Sequence, residues 1–322
     1  MPLEHVAVIG AGAWGTALAQ AAAMAGRTVT LVGRDPAALA EINASHTNSA
    51  HLGTQPLSPR ITASSELPDA DIVILAVPAQ SSRAALANVA PKLAGKPVVL
   101  SAKGLEAGSL KRQSEVLAEI APTAIPYVLS GPSFAADVAA GRPTAVTLAG
   151  DDAERTSEIA AALAGPGFRL YAADDRLGVE LAGALKNVYA LGCGAVEGAN
   201  LGASARAALL ARAFAELTRL VVAMGGSAST LTGLAGLGDL TLSCMSAQSR
   251  NYRTGVALGR GERPDGIGLA EGVSTAPVAQ LLAHRLGIDA PLIDAVNLLL
   301  GGSATINDIV AGLMARPLKR EI

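Results

Sequence analysis

"VAVIGAGAWGTALA", residues 6–19, is the stretch on which the fold turns. Its first four residues are apolar without alternation and read as a strand buried on both faces, as in parallel sheets. Gly10, Gly12 and Gly15 follow in the spacing G-x-G-x-x-G, and the Ala- and Leu-rich run behind them opens a helix. In such a unit the first glycine makes the tight turn and the second lets a pyrophosphate approach the backbone. The third lets helix and strand pack closely. The helix N-terminus then presents free N–H groups to phosphates. The spacing alone is a weak signal, because glycines also mark ordinary turns; between a strand and a helix it predicts a dinucleotide site.

The same alternation continues outward. "HVAVIG", "TVTLVG", "DIVILAV", "VVLSA", "PYVLSG", "TAVTLAG" and "FRLYA" are β-branched apolar runs, with helical patterns at 15–25, 81–90 and 110–120 between them. They predict an α/β N-terminal domain of Rossmann type with a mostly parallel sheet. From about residue 174 the strand signals stop, and helical stretches follow, separated by turns such as "GLAGLGD" and "GRGERPDGIG". We therefore expect an all-α C-terminal domain, with a dinucleotide-binding domain at 1–177 and a helical substrate and catalytic domain at 178–322. Between Ile42 and Arg60 the chain is polar, carries Pro56 and Pro59, and reads as a long surface excursion.

Composition narrows the function. The 322 residues exceed one ordinary core, and with 50% hydrophobic but 2% aromatic residues the core must be filled by Ala, Val, Leu and Ile. A net charge of −2, with no stretch concentrating Lys and Arg, argues against a nucleic-acid partner. Cys193 and Cys244 are too few for a disulfide framework, and neither they nor the four scattered histidines have metal-ligand spacing, so no metal is expected. The N-terminus enters a strand almost at once, leaving no room for a signal peptide. No run of eighteen uncharged apolar residues occurs; "AALLARAFAELTRLVVAMGG" is broken by Arg212, Glu216 and Arg219. We expect a soluble cytoplasmic protein without a membrane span.

The second strand ends at Gly33, where NAD-preferring enzymes usually carry an acid for the ribose 2′-hydroxyl, and Arg34 follows. A guanidinium matches a 2′-phosphate and stacks on adenine, so NADP is the expected cofactor, with NAD also usable. The competing view leaves Arg34 as a solvated loop charge and assigns the hydroxyl to Asp35.

"VELAGALKNVYALGCGAVEG", residues 179–198, places Lys186 and Asn187 inside an otherwise apolar helix, with Glu180 and Glu197 out of pairing range along it. A lone buried ammonium tends to shed its proton; a lysine at the helix edge would instead reach out to water. A group that carries a proton in catalysis needs a pKa near working pH. Desolvation among Leu185, Val188 and Tyr189, near Lys103, would make Lys186 such a group. Lys103 and Ser133 follow two later strands, at whose carboxyl ends the ligand crevice of an open α/β sheet lies, although Ser133 could simply cap a helix. Asp239, in "GLAGLGDLTLSC", either caps a helix or orients Lys186 and the substrate hydroxyls. Ser249, Arg250 and Asn251 put a hydroxyl, a fork of donors and an amide in a row, which suits a phosphate dianion or a solvated turn.

"GAGAWGTALA", "SAKGLE", "SGPSFA", "GALKNVYALG", "GLAGLGDL", "QSRN" and "AEGV" occur in the order and near the spacing found in bacterial NAD(P)-dependent glycerol-3-phosphate dehydrogenases, which the chain resembles over nearly its whole length. The resemblance implies interconversion of dihydroxyacetone phosphate and sn-glycerol 3-phosphate, supplying phospholipid synthesis, with a phosphorylated triose as the small-molecule partner and a homodimer left open. It implies Lys186 as proton acceptor, and Lys103, Gly131, Ser133, Asp239, Ser249, Arg250 and Asn251 as substrate contacts. Cofactor contacts are implied at Ala13, Trp14, Arg34, Lys103, Ala135, Arg250, Leu269 and Glu271. The family usually reads L-P-G in the polar excursion, where this chain has His51-Leu52-Gly53-Thr54. The runner-up is another two-domain NADP-dependent dehydrogenase such as ketopantoate reductase, which also uses a lysine but calls for no phosphate cluster. A 3-hydroxyacyl-CoA dehydrogenase would need a His–Glu pair, for which His284 is poorly placed. A catalytically silent NADP sensor would have no use for Lys186 and the phosphate cluster.

Overall fold

The computed structural model describes residues 3–317. Its strands are β1 (His5–Ile9), β2 (Thr28–Val32), β3 (Ile61–Ser64), β4 (Ile72–Leu75), β5 (Pro97–Leu100), β6 (Ile125–Ser130), β7 (Thr144–Ala149) and β8 (Phe168–Ala173). They form one sheet in the order β3-β2-β1-β4-β5-β6-β7-β8. Neighbours from β3 through β6 run parallel, β6 and β7 antiparallel, and β7 and β8 parallel again. Around the sheet lie α1 (Ala13–Met24), α2 (Pro36–Ser45), α3 (Ser49–Leu52), α4 (Ser82–Ala87), α5 (Gln113–Ile120), α6 (Ala135–Ala139) and α7 (Ala153–Leu163).

Both faces of the sheet are covered, which is why its strands lack alternation. Val6, Val8, Leu31 and Ile74 pack with Ala17, Leu18 and Ala21 of α1 on one face. Ala7, Val73, Leu75 and Val98 pack with Leu86, Val116 and Leu117 on the other. Strand order reverses between β1 and β4, the place beyond whose strand ends open α/β sheets take their ligands. The turn at Gly10 directly follows β1 there.

The helical half comprises α8 (Arg176–Gly198), α9 (Ala203–Ala223), α10 (Ala228–Leu231), α11 (Asp239–Met245), α12 (Arg250–Gly259), α13 (Glu271–Arg285), α14 (Pro291–Leu300) and α15 (Ile306–Met314). Every residue of α8 from Gly178 to Leu191 is buried; a helix apolar all round is a central one. Helix α12 approaches it backbone to backbone. A Cβ at Gly194 or Gly198 would fall 2.1 Å from the carbonyl oxygen of Tyr252 or Val256. One at Gly255 or Gly259 would fall 2.0 or 2.2 Å from that of Leu191 or Ala195. This close seam brings the start of α12 alongside Lys186 and Asn187. The two halves also share packing, since Leu105 joins the helical core while Val179 and Ala235 join the sheet's.

The segment expected to be a polar surface excursion lies mostly at the surface, but it is anchored inward at two points. Asn48 is fully buried and its Nδ2 donates to the Ala11 carbonyl at 2.9 Å and to Thr16 Oγ1 at 2.8 Å. Leu57 enters the sheet core. One buried amide and one leucine thus tie the segment to the glycine turn, against its average polarity. Strand β3 was not expected either: four residues at a sheet edge leave little periodicity to read. The helix expected over 81–90 shortens to α4, because Pro91 opens a separate 3₁₀ turn, Ala90–Leu93, and cannot continue the ladder. No helix among the described residues is long and apolar enough to cross a membrane.

Candidate active site

Lys186 is buried but paired. Its Nζ donates to Asp239 Oδ1 at 2.6 Å and to Ser243 Oγ at 2.6 Å. The partner lies 53 residues along the chain, on α11. The other carboxylate oxygen, Asp239 Oδ2, accepts from Lys103 Nζ at 2.7 Å. Lys103 Nζ also donates to the Gly131 carbonyl at 3.0 Å. Two ammonium groups on one carboxylate give the cluster a net positive charge. Asp239 is the first residue of α11, yet its side chain caps nothing; both its oxygens serve lysines.

The electrostatics follow from burial. Desolvation is the largest influence on Lys186 and drives its pKa down to about 8; Asp239 opposes that shift and Lys103 adds to it. For Asp239, burial is the largest single influence and works against the charge, but the two lysines together outweigh it and hold the carboxyl below its usual value.

The remaining residues fall into place unevenly. Gly131 sits at φ +148°, and a Cβ there would meet Val146 Cα at 2.8 Å, so only glycine fits. Ser133 Oγ donates to the Gly131 carbonyl at 3.0 Å, and Phe134, not Ser133, is the N-cap of α6. Ser249 caps α12, accepting from the Tyr252 N–H. Asn251 is buried with both ends of its amide engaged, Nδ2 donating to Asn187 Oδ1 at 2.9 Å and Oδ1 accepting from the Gly272 N–H at 2.9 Å. Asn187 Nδ2 in turn donates to the Lys103 carbonyl at 2.8 Å. Of the three neighbours, only Arg250 is exposed, without a hydrogen-bonded side-chain partner among the described residues. Ser243 and this role of Asn187 were not anticipated. Ser243 stands four residues after Asp239, on the same helix face, and that spacing was the available signal.

The turn after β1 fits a dinucleotide. Gly10 has φ +116°, and a Cβ there would meet the Ala76 carbonyl oxygen at 2.6 Å. A Cβ at Gly15 would lie 1.8 Å from the Gly10 carbonyl oxygen, whereas one at Gly12 would meet nothing within 4 Å. Gly12 therefore borders open space in front of α1, whose first residues, Ala13, Trp14 and Gly15, have no side-chain cap over their N–H groups. Trp14 Nε1 is buried without a partner. Glu271 Oε1 accepts from the Ala79 N–H at 2.9 Å while its buried Oε2 has no partner. Leu269 is exposed just before α13, and Ala135 opens α6. Arg34 is exposed, and Asp35 Oδ1 accepts from the Ala37 N–H as the cap of α2.

Models of the two halves of the NAD-dependent glycerol-3-phosphate dehydrogenases match this chain, the N-terminal one over residues 5–156 and the C-terminal one over residues 175–311. The chain belongs to this family. It is 49% identical to the glycerol-3-phosphate dehydrogenase [NAD(P)+] of Caulobacter vibrioides, over 100% of both chains. It is 51% identical to that of a Bradyrhizobium species, over 99% of this chain and 98% of the other. The crystal structure of the glycerol-3-phosphate dehydrogenase of Coxiella burnetii superposes with a TM-score of 0.91 at 35% identity, covering 98% of this chain and 100% of that one.

Proposed function

We propose that Lys186 carries the proton in the family's reaction, the NAD(P)-dependent interconversion of dihydroxyacetone phosphate and sn-glycerol 3-phosphate. The observation that supports this most is the buried Lys186 ammonium on Asp239, its pKa lowered to about 8. The bound nicotinamide supplies or accepts the hydride. Lys186 donates its Nζ proton to the carbonyl oxygen during reduction and removes the hydroxyl proton during oxidation. Asp239 and Ser243 fix the direction of that amine, and Lys103 adds positive charge where negative charge grows on oxygen. Arg250 and the free N–H groups at the start of α12 receive the phosphate, with Ser249 and Asn251 shaping that seat. Gly131 and Ser133 line the crevice beside Lys103.

A pH test follows from the sign of the shift. Reduction needs the ammonium, so kcat/KM for dihydroxyacetone phosphate should fall as pH rises through about 8. Oxidation needs the free amine, so kcat/KM for glycerol 3-phosphate should fall as pH drops below about 8. Profiles flat in both directions between about pH 7 and 9 would remove Lys186 from proton transfer.

For the cofactor, we propose that Gly10, Gly12, Ala13, Trp14 and Gly15 receive the pyrophosphate side and that NADP is preferred through Arg34. A Cβ at Gly33 would lie 2.8 Å from Ala11 Cβ, so an acid for the ribose hydroxyl has no room there. Arg34→Ala should lower kcat/KM for NADPH about 10–150-fold, the worth of a hydrogen bond to a charged group, and leave NADH nearly unchanged. An unchanged NADPH-to-NADH ratio would return Arg34 to the role of a loop charge. We place the reaction in the cytoplasm, in keeping with two free cysteines, and its product in glycerophospholipid synthesis.

A further inference from the structure

We propose that Gln113 is a positioning residue for Lys103, acting through the peptide that follows the lysine and never touching substrate; this rests on the reading of Lys103 as a working charge. Gln113 opens α5 and is 1% exposed. Its Nε2 donates to the Gly104 carbonyl at 3.0 Å. The preceding carbonyl, that of Lys103, accepts from Asn187 Nδ2 at 2.8 Å. Two consecutive carbonyls are thus gripped by two side-chain amides, one from each half of the chain. Gly104 has no slack: a Cβ there would lie 2.9 Å from both Ala79 Cβ and Glu271 Oε2. A lysine side chain is long and flexible, so where its Nζ settles depends on how firmly its Cα is held. With that origin clamped, one Nζ reaches both Asp239 and Gly131.

Two further observations point to a role in positioning. Gln113 Oε1 is buried without a partner. An orphaned buried acceptor is destabilising, and an apolar side chain of equal length would avoid it; what the amide adds is its donor. The mounting of Gln113 also leads back to α8. Glu180 accepts from the Ser114 N–H at 2.8 Å and from Ser114 Oγ at 2.6 Å, capping the first turn of α5. The helix that carries Lys186 therefore sets the origin of Lys103 twice, through Asn187 directly and through Glu180, α5 and Gln113.

The test compares Gln113→Met, Gln113→Leu, Ser114→Ala and Lys103→Met in the intact enzyme, by melting temperature, kcat and pH profile. Gln113→Met exchanges its own orphaned oxygen for that of Gly104, so its melting temperature should barely move. Its kcat for dihydroxyacetone phosphate reduction should fall about 10–100-fold, the scale of a small misplacement, with KM for NADPH unchanged. The groups facing Lys186 are Asp239, Lys103 and Cys244. If Lys103 drifts, its charge stops depressing Lys186 and Asp239 is released to it, so the limb near pH 8 should move upward. Gln113→Leu also loses the donor and adds no charge, and should repeat the effect should the Met variant fold poorly. Ser114→Ala keeps the Ser114 N–H on Glu180, and with it the mount of Gln113, so it should lower the melting temperature without moving the limb. Normal kcat and an unmoved limb in both Gln113 variants, with Lys103→Met impaired, would overturn the proposal alone. Full activity in Lys103→Met would overturn the reading of Lys103, and this proposal with it.

Discussion

Lys186→Met should lower kcat about 10²–10⁴-fold, the usual loss for a general acid–base group, while NADPH binding stays nearly intact. Methionine keeps the length of the side chain and removes only the amine. Breaking a buried ion pair is ordinarily dangerous, because it strands the opposite charge. Here Asp239 keeps Lys103 at 2.7 Å, so its carboxylate stays paired and the variant should fold. Cofactor binding should survive because the glycine turn after β1 and the Lys186–Asp239 pair sit on different elements. Single-turnover kinetics beside fluorescence titration with NADPH separate the two effects. A variant keeping more than about a tenth of normal kcat would make the lysine a structural ion-pair partner.

Arg250→Ala should cut kcat/KM for dihydroxyacetone phosphate about 10²–10³-fold, within the range for truncating one side of a hydrogen-bonded charge pair. The phosphate does not react; its binding energy holds the carbonyl carbon in place. Unphosphorylated dihydroxyacetone, a poor substrate from the outset, should lose far less. Arg250 is exposed and makes no side-chain hydrogen bond among the described residues, so its removal should not unfold the protein. Equal losses for the two compounds would take the phosphate away from this residue. Asn251 makes a useful contrast. It spans Asn187 and the Gly272 N–H, so Asn251→Ala should also lower the melting temperature.

What could be read ahead of the structure was local. Gly10 and Gly15 answer constraints set by atoms a few residues away or on the adjoining strand end, as their blocked Cβ positions show, while Gly12 leaves open space before the helix. Strands buried on both faces announce a covered parallel sheet by composition alone. An apolar helix carrying one lysine announces desolvation, which loosens the lysine's proton, though a carboxylate opposite works against it. Fold class, cofactor turn and the candidate base therefore followed from residue types and spacing.

Pairings between elements did not. Nothing in "VELAGALKNVYALGCGAVEG" says that Asp239 will meet Lys186, or that Ser243 will join them; that depends on α11 docking against α8. Asn251 looks like an open phosphate ligand beside Arg250, yet the glycine seam between α8 and α12 draws it inward to bridge three helices. Asn48 sits in a polar stretch and ends buried against the glycine turn, because one amide can satisfy Ala11 and Thr16 together. The sequence by itself determined which groups are present and what each backbone segment can do, since those are short-range properties of residue and spacing. Only the tertiary structure decided which carboxylate holds the two lysines and which amide of α8 holds the Lys103 carbonyl, since hydrogen bonds across 53, 84 and 136 residues exist only once helices and sheet have closed on one another.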